Sequence, residues 1–245
     1  MTPLEIESLY ILQSENVRHL ASVLKSLKQE INRLIDRSAD HQIQISTKIL
    51  ALVYSAWSEA QFLQILYTPR GLSPQDIGLI KTEKSKKGIA AGWKLMLRKA
   101  IDRVGDPLND VILHERLGKL DSIVEDFIEA PSTIRNKIAH GQWVNALNGK
   151  NTAKNEILSS LLLNLDPVLV LRQIQVHQHF GLIVRDLMQS PLNGFHRHYV
   201  NNIGQLEQYI IKTQNWNLES KREKRKASTK KVVLIHQLPR EGWPL

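Results

Sequence analysis

"PSTIRNKIAHGQW", residues 131–143, sits near the middle of a 245-residue chain and carries two patterns at once. Ile134 and Ile138 are four apart, the spacing of one buried helix face. Around them Arg135, Asn136, Lys137 and His140 supply groups that can hold a phosphate or move a proton. Pro131 suits a first helical turn, where its missing N–H would be unpaired in any case. Gly141 stands where a helix end calls for a left-handed residue. The spacing predicts a short helix over 131–140, with His140 in its last turn.

Outward from this stretch the pattern stays helical. Upstream, Val17, Leu20, Leu24, Leu27, Ile31 and Leu34 alternate spacings of three and four, which predicts a long helix from about Pro3 to Arg37. That stripe fits a coiled-coil dimer seam or an edge packed along its own bundle, and the second is the expectation. A second long helix, "IQISTKILALVYSAWSEAQFLQILY", should stop before Thr68-Pro69-Arg70-Gly71. "GIAAGWKLMLRKAIDRVG" and "LHERLGKLDSIVEDFIEA" read as two more, and Lys81, Lys84, Lys86 and Lys87 as a basic loop between helices. Downstream, "NALNGKNTAKN" is a polar loop. Asp166-Pro167 is a cap and first-turn proline opening a helix to about Gln189. "SPLNG" breaks it, and "FHRHYVNNIGQLEQYIIKT" forms another. "KVVLIHQL" near the end reads as a strand or an induced segment. The class is all-α, arranged as an N-terminal helix (1–40), a helical domain (41–215) and a basic C-terminal tail (216–245).

Composition narrows the chemistry. With no cysteine, a disulfide scaffold, a thiolate nucleophile and a zinc–thiolate site are excluded. "MTPLEIESLY" lacks a basic region followed by an apolar stretch, and no window approaches 18 uninterrupted apolar residues. The expectation is a cytoplasmic protein without a membrane span. The net charge is +9, and "KREKRKASTKK" (221–231) carries +6 of it, leaving +3 for the rest. Such a run reads as a solvated, mobile segment that can also tether RNA by counterion release. Its Lys221, Arg222, Lys224, Arg225 and Lys226, with Lys84, Lys86, Lys87 and Lys137, are the candidate RNA-binding cations. His177, His179, His196 and His198 form two H-x-H pairs. Positions i and i+2 point apart on a helix, so these are expected to be surface or RNA-facing histidines and no metal site is expected.

The central helix offers parts for metal-free phosphodiester cleavage. A guanidinium binds a phosphodiester through two parallel N–H bonds and stabilises the added charge of a pentacoordinate transition state. An imidazole can take the proton of a ribose 2′-OH or protonate a leaving 5′-oxygen. At a helix C-terminus His140 would stand beside the partial negative charge of the last carbonyls. Asn136, four residues before His140, shares its face and can orient a phosphate oxygen.

"RNKIAHG" (135–141) resembles the R-x4-H motif of the HEPN superfamily, the higher eukaryotes and prokaryotes nucleotide-binding domains. "LALVYSAWSEAQFLQIL" is similar to the earlier HEPN helix with a small-residue stripe and an acidic residue, here Glu59. The helix from Pro167 to Gln189 resembles the long one after the motif, so the similarity covers about residues 41–210. The resemblance implies a helical bundle that dimerises and brings two motifs into one cleft. It implies a metal-independent endoribonuclease without cofactor, acting as a toxin or antiphage-defence effector. Arg135 and His140 match the catalytic pair, Asn136 the adjacent polar position and Glu59 the acidic helper. The implied partners are RNA, a second copy of the chain and an antitoxin or defence-system protein. A tyrosine that some toxin members carry two residues beyond the His is Gln142 here, followed by Trp143. Other HEPN domains are non-catalytic modules that bind a nucleotide, RNA or a partner protein.

Overall fold

Thr2 and Glu5 exchange hydrogen bonds, Thr2 N–H to Glu5 Oε2 at 2.7 Å and Glu5 N–H to the Thr2 hydroxyl at 3.3 Å. This capping box starts α1, Pro3–Asp36. The computed structural model describes residues 1–237, with side chains described through Ala227. Ser38, at φ 53°, turns the chain back into α2, Asp40–Leu66, and the two helices pack along their length. Leu24, Ile31 and Leu34 are buried with Ile43, Leu50 and Ala51, so the stripe on α1 is a seam inside the bundle.

The basic segment expected as a loop is part of a helix. Ser73 accepts the Asp76 N–H at 3.1 Å and Pro74 follows it, which starts α3, Pro74–Lys87, with Ile77 and Ile80 fully buried. Lys81, Lys84, Lys86 and Lys87 therefore ride on a helix. Helix α4 is Ile89–Ile101, and α5, Val111–Val124, is capped by Asp110. The loop after the motif contains an isolated bridge, Leu147 to Lys154, and leads into a short helix the sequence reading did not assign, α7, Glu156–Leu163. Asp166 caps α8, Pro167–Gln189, as its Asp-Pro pair predicts. A π-helical turn, Pro191–Phe195, joins α9, His196–Lys212. The described secondary structure is otherwise helical throughout, so the class is all-α.

The C-terminal run is a helix as well: α10, Leu218–Gln237. It includes most of "KVVLIHQL", whose last residue lies outside the described residues. Its start is docked, since Asp166 Oδ1 takes the Val168 N–H and Oδ2 the Leu218 N–H, both at 2.7 Å. One carboxylate caps two helices. Arg225 then pairs with Asp36, its Nε 2.5 Å from Oδ1, and Arg222 pairs with Asp40. The expectation of a solvated, mobile arm is corrected for 218–227. Residues 218, 221, 222 and 225 recur at three and four, and that face lies on the α1–α2 turn and α8.

Helices α2 and α8 run through both halves of the core. Phe62, Ile65, Phe180 and Val184 join α3, α4, α5 and α9 in one cluster. Leu50, Trp57, Val170 and Ile174 join α1 and the motif helix in the other. Among the described residues, α2 alone is long and apolar enough to cross a membrane, while α7 and α8 meet that test only as a pair bent by 93°. Over half of the α2 window, 56%, is buried by the rest of the chain, as fits a core helix.

The approach to the motif departs from the predicted boundary. No break separates α5 from the motif helix. The chain passes through a π-helical turn, Glu125–Glu129, straight into α6, Ala130–Ala139. In an α-helix the Phe127 carbonyl would accept from residue 131, but Pro131 has no N–H to give and its ring would clash there. The turn widens, Ala130 N–H reaches back to Glu125 O, and the Tyr54 hydroxyl donates to Phe127 O at 3.1 Å. Such π-turns are inserted single residues, often found at functional sites.

Tyr54 also lies 3.1 Å from His177 Nδ1. Its one phenolic proton goes to the carbonyl, so the imidazole donates through Nδ1–H and its Nε2 carries the lone pair. His177 is 1% exposed, ringed edge-on by Trp57, Trp93 and Phe180, against the expectation of a surface histidine. The α8 periodicity turns His177 inward with Ile174 and Phe180, three residues to either side.

Burial pushes the His177 imidazole down to about 3, whereas in an unfolded chain it protonates near pH 6.5. Its stabilising contribution is fully present above pH 6.5 and is lost as the pH falls, by about 1.4 kcal/mol per unit until about pH 3. Urea denaturation at pH 6.5 and pH 5 should differ by about 2 kcal/mol from this residue. His177→Gln should flatten that slope even where it lowers stability overall.

Candidate functional site

Helix α6 ends in a hydrogen-bonded turn that its sequence specifies. Gly141, at φ 78°, takes the left-handed position; its N–H bonds Ile138 O at 3.1 Å and the Gln142 N–H bonds Lys137 O at 2.9 Å. This is the Schellman arrangement, with His140 as the cap residue. Trp143 folds back beneath it, donating its indole N–H to Ile138 O at 3.0 Å. Lys48 of α2 donates to Trp143 O at 2.6 Å, and burial pulls that ammonium below its ordinary value. The segment carrying His140 is therefore clamped from two sides. Ile138 is buried and Ile134 partly so, as their spacing predicts.

Arg135 turns in towards α2. Its guanidinium donates to the Ser55 hydroxyl, and Nη2 lies 3.6 Å from Glu59 Oε1. The second Glu59 oxygen takes Lys84 of α3 at 2.5 Å, and Lys84 also stands 5.9 Å from the Phe62 ring centroid. Ser55 and Glu59 are i and i+4, so α2 presents both to the motif helix from one face. Glu59, which the resemblance matches to the family's acidic helper, stands beside Arg135. Ser55 carries no signal in the sequence pattern, and Lys84, a candidate RNA-binding cation, is engaged by Glu59. Beneath the guanidinium a cavity of about 60 Å³ is lined by Tyr54, Ser55, Ser58, Pro131 and Gln173. Burial raises the Tyr54 phenol well above its usual range, against the opposing pull of Arg135.

Asn136 and His140 face the other way, both exposed to solvent on one side of the helix end. The motif is thus split. Its guanidinium is held half-buried, side chain 18% exposed, while its amide and imidazole are presented outward. A substrate reaching all three must lie across the end of α6.

The other candidate cations scatter. Lys137 donates to Leu147 O at 2.6 Å and so holds the following loop. Lys87 pairs with Glu83 at 2.9 Å, and Lys86 is exposed at the end of α3. Arg222 and Arg225 are engaged by the carboxylates described above; Lys226 is exposed, Lys221 half-buried, and Lys224 lies 4.8 Å from the Trp216 ring centroid. Of the remaining H-x-H members, His196 meets Arg116 at 3.1 Å and His198 meets Asp186 at 3.4 Å. Among the described residues, no three His, Asp or Glu side chains are grouped to hold a metal ion.

No protein-family model, curated protein or solved structure matches the chain.

Trp143→Phe keeps the ring but leaves the Ile138 carbonyl without its indole donor. Stability should fall by about 1 kcal/mol, read as a lower urea midpoint with an unchanged slope.

Proposed function

We propose that this chain is a metal-independent endoribonuclease of the HEPN type, acting as a homodimer. The observation that carries the reading is the α6 end itself: Arg135 held by Glu59 and Ser55, with Asn136 and His140 exposed on the same turns. Arg135 binds the scissile phosphate and stabilises its added charge. His140 takes the proton from the ribose 2′-OH, which attacks the adjacent phosphorus. The P–O5′ bond breaks, and the His140 of the second copy protonates the departing 5′-oxygen. The products are a 2′,3′-cyclic phosphate and a 5′-hydroxyl. One imidazole per chain makes a two-copy cleft the simplest source of a base and an acid together. Val144, Ile157 and Leu161, exposed on the segments just after the motif, supply apolar surface for that contact. A role as a toxin or antiphage-defence effector, restrained by a partner protein, belongs to the same reading.

A second reading is favoured by the Arg135 contacts. Its guanidinium is already engaged by Ser55 and Glu59, which suits a non-catalytic helical module as well as a poised site.

Purified protein incubated with labelled RNA in EDTA separates the two. Cleavage should proceed and leave cyclic phosphate ends, while His140→Ala and Arg135→Ala each abolish it with the circular dichroism unchanged. Because both act on one step, the double variant should lose no more than either single one. Asn136→Ala, which removes a neutral hydrogen bond, should cost less. Folded single variants that cleave like the wild type, or cleavage stopped by EDTA, would leave the helical-module reading.

A further inference from the structure

A cavity larger than the one under Arg135 lies away from the motif. A groove of about 370 Å³ lies between α1, α8 and the start of α10, within the size range of small-ligand sites. Helix α8 separates it from the motif: Val170 and Gln173 line the cavity under Arg135, whereas Val168, Leu171 and Gln175 line the groove. Its floor is apolar and partly aromatic, made by Leu24, Leu171, Ile174, Tyr209 and Trp216. Gln175 and Gln178 add side-chain amides to its wall.

Its charge is one-sided. Lys25 and Lys28 of α1 face Lys221 and Lys224 of α10 across the opening, and among the described residues no carboxylate lines it. Lys224 rests on the Trp216 ring, and Arg172 is committed to Thr213 Oγ1 and Ile210 O at 2.9 and 3.1 Å. No ion pair within 4 Å engages Lys25, Lys28 or Lys221 among the described residues. Lys221 is pulled below its ordinary value by burial first and then by Lys28 and Arg225, with Asp166 and Asp36 opposing from α8 and α1. The nearby Asp36 and Asp166 are committed to Arg225 and to the Val168 and Leu218 N–H groups, so the lysines on the two sides of the groove leave it at positive potential, which a multiply charged anion relieves.

We propose that this groove binds a free nucleotide, the base lying on the apolar and aromatic floor with its edge toward the glutamine amides and the phosphates between the α1 and α10 lysines. Aromatic rings stack any base, and glutamine amides match the donors and acceptors of a base edge. A simple anion would leave the floor unused, and a fatty acid would leave most of the cations unused. The bound nucleotide would bridge α1 and α10 and hold the C-terminal helix in place. The proposal does not rest on the ribonuclease reading, since its test reads binding alone.

Isothermal titration of the full chain with ATP, AMP, inorganic phosphate and a hexa-adenylate RNA provides that test. ATP should bind more tightly than AMP, and AMP more tightly than phosphate. Lys28 is exposed, so Lys28→Ala should keep the fold and weaken ATP by about tenfold. Ala21→Phe leaves every lysine in place and fills the groove, and it should weaken ATP by at least as much. Phosphate binding as tightly as AMP would reduce the groove to an anion patch and overturn the proposal. So would a failure of ATP to bind, ATP affinity unchanged in both variants, or tighter binding of the hexamer than of ATP at the same residues.

Discussion

Proline at 131 has no N–H, so the Phe127 carbonyl loses its helical partner inside the bundle, where an unpaired carbonyl is costly. The chain answers by admitting one extra residue as a π-turn and handing that carbonyl to the Tyr54 hydroxyl. One inserted residue rotates everything after it by about 100°. That rotation sets which side of α6 meets α2: Ile134 and Ile138 enter the core and Arg135 reaches Ser55 and Glu59. Tyr54 also receives His177, so a single hydroxyl joins α2, the motif segment and α8. The geometry of the candidate site follows from this one substitution of a donor.

The ion pairs around Arg135 are better understood as positioning than as stability. The Arg135 and Glu59 side chains are 18% and 33% exposed, and pairs so placed contribute little net free energy. What they supply is direction, because Glu59 divides its two oxygens between Arg135 and Lys84. The triad keeps a net charge of +1 beside the helix end, so an approaching phosphate is attracted to a guanidinium already fixed in orientation.

Charge at the C-terminal helix is distributed by the same logic. Two of its arginines are neutralised by Asp36 and Asp40 at the α1–α2 turn, and their pairing holds α10 against the bundle. Docking then carries Lys221 and Lys224 to face Lys25 and Lys28. A run that looks uniformly basic along the chain is, in space, part clasp and part cationic rim. Both arginines are consumed by structure, and Lys221 and Lys224 stand at the groove.

Much was determined locally. The three-four spacing on α1, the Asp166-Pro167 cap, the buried Ile134–Ile138 face and the left-handed Gly141 are consequences of near-neighbour sterics and hydrogen bonding, so they could be read from the residues alone. Glu59 is singled out only through resemblance, and its pairing with Arg135 comes from the packing of α2 on α6. Three of the features that were not legible share one cause. Pro131 reads as a helix start, because the carbonyl donor that lets the helix run through it, Tyr54, lies 73 residues before the acceptor. His177 reads as a surface residue, because its aromatic surroundings come from α2, α4 and α8 together. The basic run reads as a loose arm, because the carboxylates that hold it are 182 and 189 residues away. Each depends on partners remote in sequence, and only the packing of α2, α8 and α10 brings those partners within reach.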